Sequence, residues 1–118
     1  MRDGASSPGS LYSAVDAVLT HHAFDRGTGT LAAREQVALP AKLQYAWPHP
    51  TLPVLYTSTS DGGPRVPSTS DHVCAWSITP DGSLRSHGVP RPLPLRAVHV
   101  CVDPLGRFLV NAHNLHGG

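Results

Sequence analysis

The chain has little charge of either sign. Its 118 residues carry nine basic and eight acidic side chains, for a formal net charge of +1. Lys42 is its one lysine and Glu35 its one glutamate. Such a balance offers no electrostatic ground for a nucleic acid or an anionic membrane as partner. Cysteine is scarce too. Cys74 and Cys101 form neither a C-x-x-C pair nor a secreted disulfide framework. They read as two small buried thiols in a reducing compartment. No apolar run approaches the 18 or so residues of a membrane-spanning helix. The opening MRDGASSPGS lacks the apolar centre of a signal peptide. The expected location is therefore cytoplasmic, with no membrane partner.

Glycine and proline are present in quantity, 11 and 12 residues. Both interrupt long helices, so the chain should consist of short elements joined by turns. Residues 1–10, polar and rich in Gly and Ser, read as a disordered tail.

The remainder contains a repeat. LPAKLQYAWPHPTLPVLYTSTSDGG, from Leu39, aligns with LPLRAVHVCVDPLGRFLVNAHNLHGG, from Leu93. The offset of 54 residues also relates Pro40 to Pro94, Pro50 to Pro104 and Leu55 to Leu109. Upstream, the GTL at Gly29 matches the GSL at Gly82 with an offset of 53. Repeats of roughly 40–50 residues with four strands each are a signature of β-propeller blades. The period here is stretched by GGPRVPSTSD, residues 62–71, a surface loop by composition.

Nine strands follow from β-branched and aromatic runs bounded by Gly, Pro, Asp or Ser. They are LYSAV, VLTHHAFD, LAAREQVAL, LQYAWPH, PVLYTSTS, HVCAWSIT, SLRSHGVP, AVHVCVD and RFLVNAHN. Leu11, Val15, Val18, Leu19 and His22 also fall at helical spacing, but the repeat decides for strands. The expected fold is all-β: antiparallel four-stranded propeller blades in an incomplete ring. A partial blade is expected over 11–40, a complete one over 41–89 and a second partial one over 90–118.

LTHHAFD, TPDGSL and above all LPLRAVHVCVDPLGRFLVNAHN resemble the lactonase family of seven-bladed β-propellers. That family includes 6-phosphogluconolactonase and the carboxymuconate-lactonizing enzymes. Its blades resemble "LP..p.h..vdp.GrfLyva", and the similarity covers about residues 11–118. Seven blades require about 300 residues. The resemblance therefore implies an N-terminal portion of a longer chain. The implied activity of the parent is hydrolysis of a sugar-acid lactone such as 6-phosphogluconolactone, without a cofactor. The alternatives are a non-catalytic propeller used for binding or as a scaffold, and a lactonizing isomerase.

In a propeller the first strand of each blade lines the central channel. Alternation along AVHVCVD places Val98, Val100 and Val102 on one face and His99, Cys101 and Asp103 on the other. A blade is covered on both faces, so His99 either meets a partner between blades or faces the channel. The family motif places a histidine there, which makes His99 the implied general base. Arg96, just before the strand, is suited to clamp a phosphate or carboxylate, or else is a solvated loop arginine. Tyr45 is the repeat equivalent of His99. Gln44 and Tyr45 would supply neutral hydrogen bonds at the same channel, or simply pack.

No metal is expected. His21-His22 and His113-x-x-His116 lack the acid or cysteine partners of a metal site. Asp71-His72 reads as a solvated pair at the rim. A serine nucleophile has no G-x-S-x-G support. The partner implied by the resemblance is a small lactone, and exposed blade edges offer a route to self-association.

Overall fold

A computed structural model describes residues 8–113. It holds ten strands and, among the described residues, no helix. The nine sequence-derived strands are all present, and a short tenth is added.

β1 (Gly9–Val15), β2 (Val18–Phe24) and β3 (Leu31–Ala38) form one antiparallel sheet in that order. Gly9 and Ser10 pair with Phe24 and Ala23, so the strand reaches into the stretch read as tail. A polar composition does not prevent backbone pairing where a neighbouring strand offers partners. The β1–β2 turn is tight because Asp16 adopts φ 52°, a left-handed backbone that Asp tolerates better than most residues. The carbonyls of this turn then accept from the amides of Leu39 and Leu43, at 2.8 and 3.0 Å. They thereby pin the Leu-Pro step that leads into the next sheet.

That sheet is β4 (Lys42–Pro48), β5 (Val54–Ser60), β6 (Asp71–Ile78) and β7 (Leu84–Ser86), hydrogen-bonded in sequence order. β8 (Arg91–Pro92) pairs with the other end of β6, opposite His72 and Val73. The run SLRSHGVP is therefore not one continuous strand. Four residues, His87 to Pro90, loop out between Ser86 and Arg91, with Gly88 at φ 81°. The outermost strand resumes as β8. β9 (His99–Val102) and β10 (Leu109–Ala112) make a third, two-stranded sheet beside β4. Arg107 and Phe108, expected in strand, belong to the turn before β10.

Two layers of burial hold the sheets together. Leu19 and Leu39 meet Leu55, Cys74, Trp76 and Leu84 between the first and second sheets. Val54, Val73, Ala97 and Val100 are buried on the other side of the second sheet and in the third. Burying each aliphatic side chain contributes about 1.5–3 kcal/mol. β5 is enclosed on both faces, and its polar end is buried as deeply as its apolar start. Thr57, Ser58, Thr59 and Ser60 are all fully inaccessible. Thr57 accepts from the Trp76 indole at 3.1 Å, and Ser60 Oγ accepts from the Gly62 amide at 3.0 Å. Such pairing is what makes buried hydroxyls tolerable. Both cysteines are free thiols, Cys74 buried and Cys101 half-buried. Burial pushes the Cys74 thiol up.

Asp71 departs from its expected place at the rim. It is buried, with one carboxylate oxygen accepting from Ser68 Oγ at 2.6 Å. The 62–70 loop folds back over the start of β6 and covers it. Asp61 closes that loop by accepting from the Thr69 hydroxyl (2.5 Å) and the Thr69 and Ser70 amides (2.8 and 3.0 Å).

The Thr69 hydroxyl, chiefly, draws the Asp61 carboxyl down from 3.8 to about 2. The Thr79 hydroxyl does the same for Asp81 in the β6–β7 turn. Both shifts favour the folded state above the ordinary carboxylate value, and the benefit fades as pH falls toward the depressed one. The amides of Thr69 and Ser70 should therefore lose hydrogen-exchange protection as pH drops from about 4 toward 2, once intrinsic exchange rates are corrected for. Asp61→Asn should remove the pH dependence at these two amides. Unchanged dependence in that variant counts against the carboxylate as the clasp.

Candidate functional site

The four residues singled out from the sequence fall into two touching pairs on neighbouring strands. The β4–β5 pairing passes from Leu43↔Thr59 to Tyr45↔Ser58, which leaves Gln44 without a cross-strand partner of its own. Such a bulge re-aims a side chain. Gln44 Oε1 accepts from Arg96 Nη1 at 2.9 Å, and its amide nitrogen donates to the Lys42 carbonyl at 3.1 Å. Arg96 is held from its backbone as well, where its carbonyl accepts from His113 Nδ1 at 3.1 Å. His116, the other half of the His113-x-x-His116 spacing, lies outside the described residues.

One residue along β4, the Tyr45 ring lies 4.1 Å from that of His99. The repeat that equates the two positions also brings them together. Trp47 completes the cluster, with its ring 6.1 Å from His99 and 6.4 Å from Tyr45. Sequence reasoning missed Trp47, although the signal was there: it stands two residues beyond Tyr45, on the same face of a strand. His99 is exposed, although it opens a strand whose next residue, Val100, is wholly buried. Among the described residues no carboxylate hydrogen-bonds its ring. His99 thus packs its ring, tilted, against two aromatic side chains, without the acid that would orient it as a base.

Arg96 stands where two cavities meet. One, of about 390 Å³, is lined by Asp16, Lys42, Gln44, Gly62 and Arg96, among others. The second, of about 410 Å³, is more apolar and lies between Pro64–Ser68 and Pro94–Arg96. Arg96 Nε is buried and has no hydrogen-bond partner. A guanidinium with one edge fixed by a neutral glutamine keeps its full charge for an incoming anion.

A second polar cluster lies elsewhere. Ser10 Oγ and His21 Nε2 are 2.9 Å apart at a cavity of about 490 Å³, which Arg34, Glu35 and Asp81 also line. The Tyr12 ring stacks on His21 at 5.3 Å, and the Tyr12 hydroxyl donates to the Gly82 carbonyl at 2.6 Å. His21 is 3% exposed and its Nδ1 has no partner. An imidazolium formed by taking the Ser10 proton would have a buried N–H with no acceptor, so the pair is poorly built for acyl transfer. It locks the first sheet to the β6–β7 turn. His22 turns to Ser13 instead, at 2.9 Å. No group of three or more metal-ligating side chains occurs among the described residues.

No protein-family model and no curated protein matches the chain. A match among solved structures is a propeller-type chain in the crystal structure of a mitotic checkpoint complex. It superposes with a TM-score of 0.55 at 19% identity, over 81% of this chain. The all-β chain of antiparallel sheets has a β-propeller-type fold with an incomplete ring. It spans 29% of the length of the propeller chain it matches. Among the described residues, no helix is long and apolar enough to cross a membrane. At this identity the likeness speaks to the fold alone, and the lactonase resemblance gains nothing from it.

Proposed function

We propose that the chain is part of a propeller that works as a binding platform. In this reading Arg96 takes a carboxylate from a partner protein, and the Tyr45–Trp47–His99 cluster, carried by the same neighbouring strands, supplies a separate aromatic contact. The observation that carries it is the Arg96 guanidinium, aligned by Gln44 and with a second basic residue, Lys42, lining the same cavity. Aromatic and arginine side chains are the residue types that dominate binding at protein interfaces. The similar propeller chain comes from a protein complex, which agrees with a protein partner.

Glutarate serves as a minimal carboxylate probe, followed through the Arg96 Nε–H resonance by NMR. The resonance should shift on titration with glutarate and stay still with glutaramide, its neutral analogue. Gln44→Leu should weaken the response several-fold, because the guanidinium loses its alignment. A resonance that ignores glutarate, or moves equally with glutaramide, overturns the reading.

Lactone hydrolysis is the second reading. It is favoured by the exposed His99 ring, three residues along the chain from Arg96. The binding reading predicts that 6-phosphogluconolactone hydrolyses at the buffer rate with this chain present, with or without His99→Ala. Misplacement of a catalytic group by about 1 Å already costs on the order of a hundredfold in rate. A ring tilted against tyrosine with no orienting acid is further from readiness than that. Turnover that His99→Ala abolishes would decide for the hydrolase.

A further inference from the structure

The two cavities that share Arg96 differ in character. The one on the Lys42 side sets two cations, Lys42 and Arg96, against one carboxylate, Asp16. The other is walled by Pro64, Val66, Pro67, Pro94 and Leu95, and Arg65 also lines it. Pro64 and Arg96 border both. Their volumes, about 390 and 410 Å³, lie within the range of about 300–1,000 Å³ usual for ligand sites.

The walls are fixed by the chain itself. Gly63 and Val66 exchange backbone hydrogen bonds of 3.1 and 3.2 Å, and the Gly62 amide donates to Ser60 Oγ. A Cβ on Gly62 would lie 2.8 Å from both Ser68 Cβ and the Val66 carbonyl oxygen, so the two arms of the 62–68 loop are in close contact. Prolines 64, 67 and 94 stiffen the apolar wall. The amides of Gly62 and Gly63 are occupied, which leaves side-chain cations to hold an anion in the first cavity. Gln44 takes Nη1 of Arg96, while Nε is without a partner among the described residues. A guanidinium edge of this kind receives a carboxylate in two parallel bonds.

A ligand that fills both cavities needs a carboxylate and an apolar group on neighbouring atoms, because one side chain borders both. The last residue of a polypeptide meets that need, since its α-carboxylate and its side chain leave the same Cα. An acidic residue inside a chain does not: in an extended peptide the side chains beside it project to the other face. We propose that the carboxylate received by Arg96 is the C-terminus of the partner protein, with a branched apolar last residue seated against Val66, Pro67 and Leu95. This rests on the binding-platform reading and names the part of the partner that is recognised. Two cations beside one carboxylate favour the incoming negative charge. Capture of a chain terminus is a recurrent mode of peptide recognition.

The Arg96 Nε–H resonance again supplies the readout, now with acetyl-glycyl-glycyl-leucine carrying a free carboxylate. It should bind about tenfold more tightly than acetyl-glycyl-glycyl-glycine, because the leucine side chain leaves water. The C-terminal amide of the leucine peptide should leave the resonance still. Val66 is 59% exposed, so Val66→Ser should keep the fold, which circular dichroism checks. It should also bring the leucine peptide down to the affinity of the glycine one. Equal binding of the two free acids by the wild-type chain overturns the proposal. So does an acetyl-leucyl-aspartyl-glycine amide that binds as well as the free C-terminus, or isovalerate that binds as tightly as the leucine peptide, which would make a small acid the ligand. In each of these cases a response to glutarate leaves the Arg96 platform standing. Silence toward glutarate and every peptide removes both.

Discussion

Gly82→Ala should unfold at far lower urea than the wild type, with a loss of about 2–5 kcal/mol. Two costs combine. Gly82 has φ 94°, a backbone that side chains with a Cβ rarely adopt. An added methyl would also overlap Ser10 Oγ and come within 2.6 Å of His21 Nε2. His21 is buried and stacked on Tyr12, whose hydroxyl holds the Gly82 carbonyl, so the turn cannot retreat without breaking that bond. Gly29 supplies the control. Its φ is 73°, yet nothing lies within 4 Å of a built Cβ. Gly29→Ala should thus cost only the backbone strain, about 1 kcal/mol. Ser10→Ala in the Gly82→Ala background should recover part of the loss, since the two positions touch and their effects are not additive. Equal urea midpoints for Gly82→Ala and Gly29→Ala would show that the contact with Ser10 and His21 costs nothing.

Trp76→Ala should cost about 3–5 kcal/mol, enough to unfold a domain of this size near room temperature. Trp76 is 7% exposed at the centre of the cluster that joins the first and second sheets. Its indole is also the hydrogen-bond donor to Thr57, which is fully buried. Trp76→Phe separates the two roles. It keeps most of the packing but removes the indole donor from the Thr57 hydroxyl, which is left with the weak Cys74 thiol as its partner, for a loss of about 1–3 kcal/mol. Replacing both partners, as Trp76→Phe with Thr57→Val, should restore part of that loss, because the buried hydroxyl goes with its indole donor. Urea melts with unchanged slope measure each value. Full stability in Trp76→Ala would mean that the two sheets do not depend on this core.

The local order of the chain was legible in its residues because the signals are local. Period-two alternation, turn residues and the recurrence of Leu-Pro mark where strands start and stop. The same recurrence equates Tyr45 with His99 and thereby identifies neighbouring strands. It could not show that Gln44 sits in a bulge, since a bulge arises from the register of β4 against β5. That register turns Gln44 to Arg96, 52 residues away, and makes a site of the pair. Nor could composition place Asp71. Its burial depends on how the 62–70 loop folds back, which hydrogen bonds from Thr69 and Ser70 to Asp61 determine. His99 illustrates the limit most clearly. Alternation separated it from Val100, but exposure of one and burial of the other depend on which blades lie on each side. Strand pattern is a property of adjacent residues; what covers a strand is a property of distant ones, and only the packed sheets decide it.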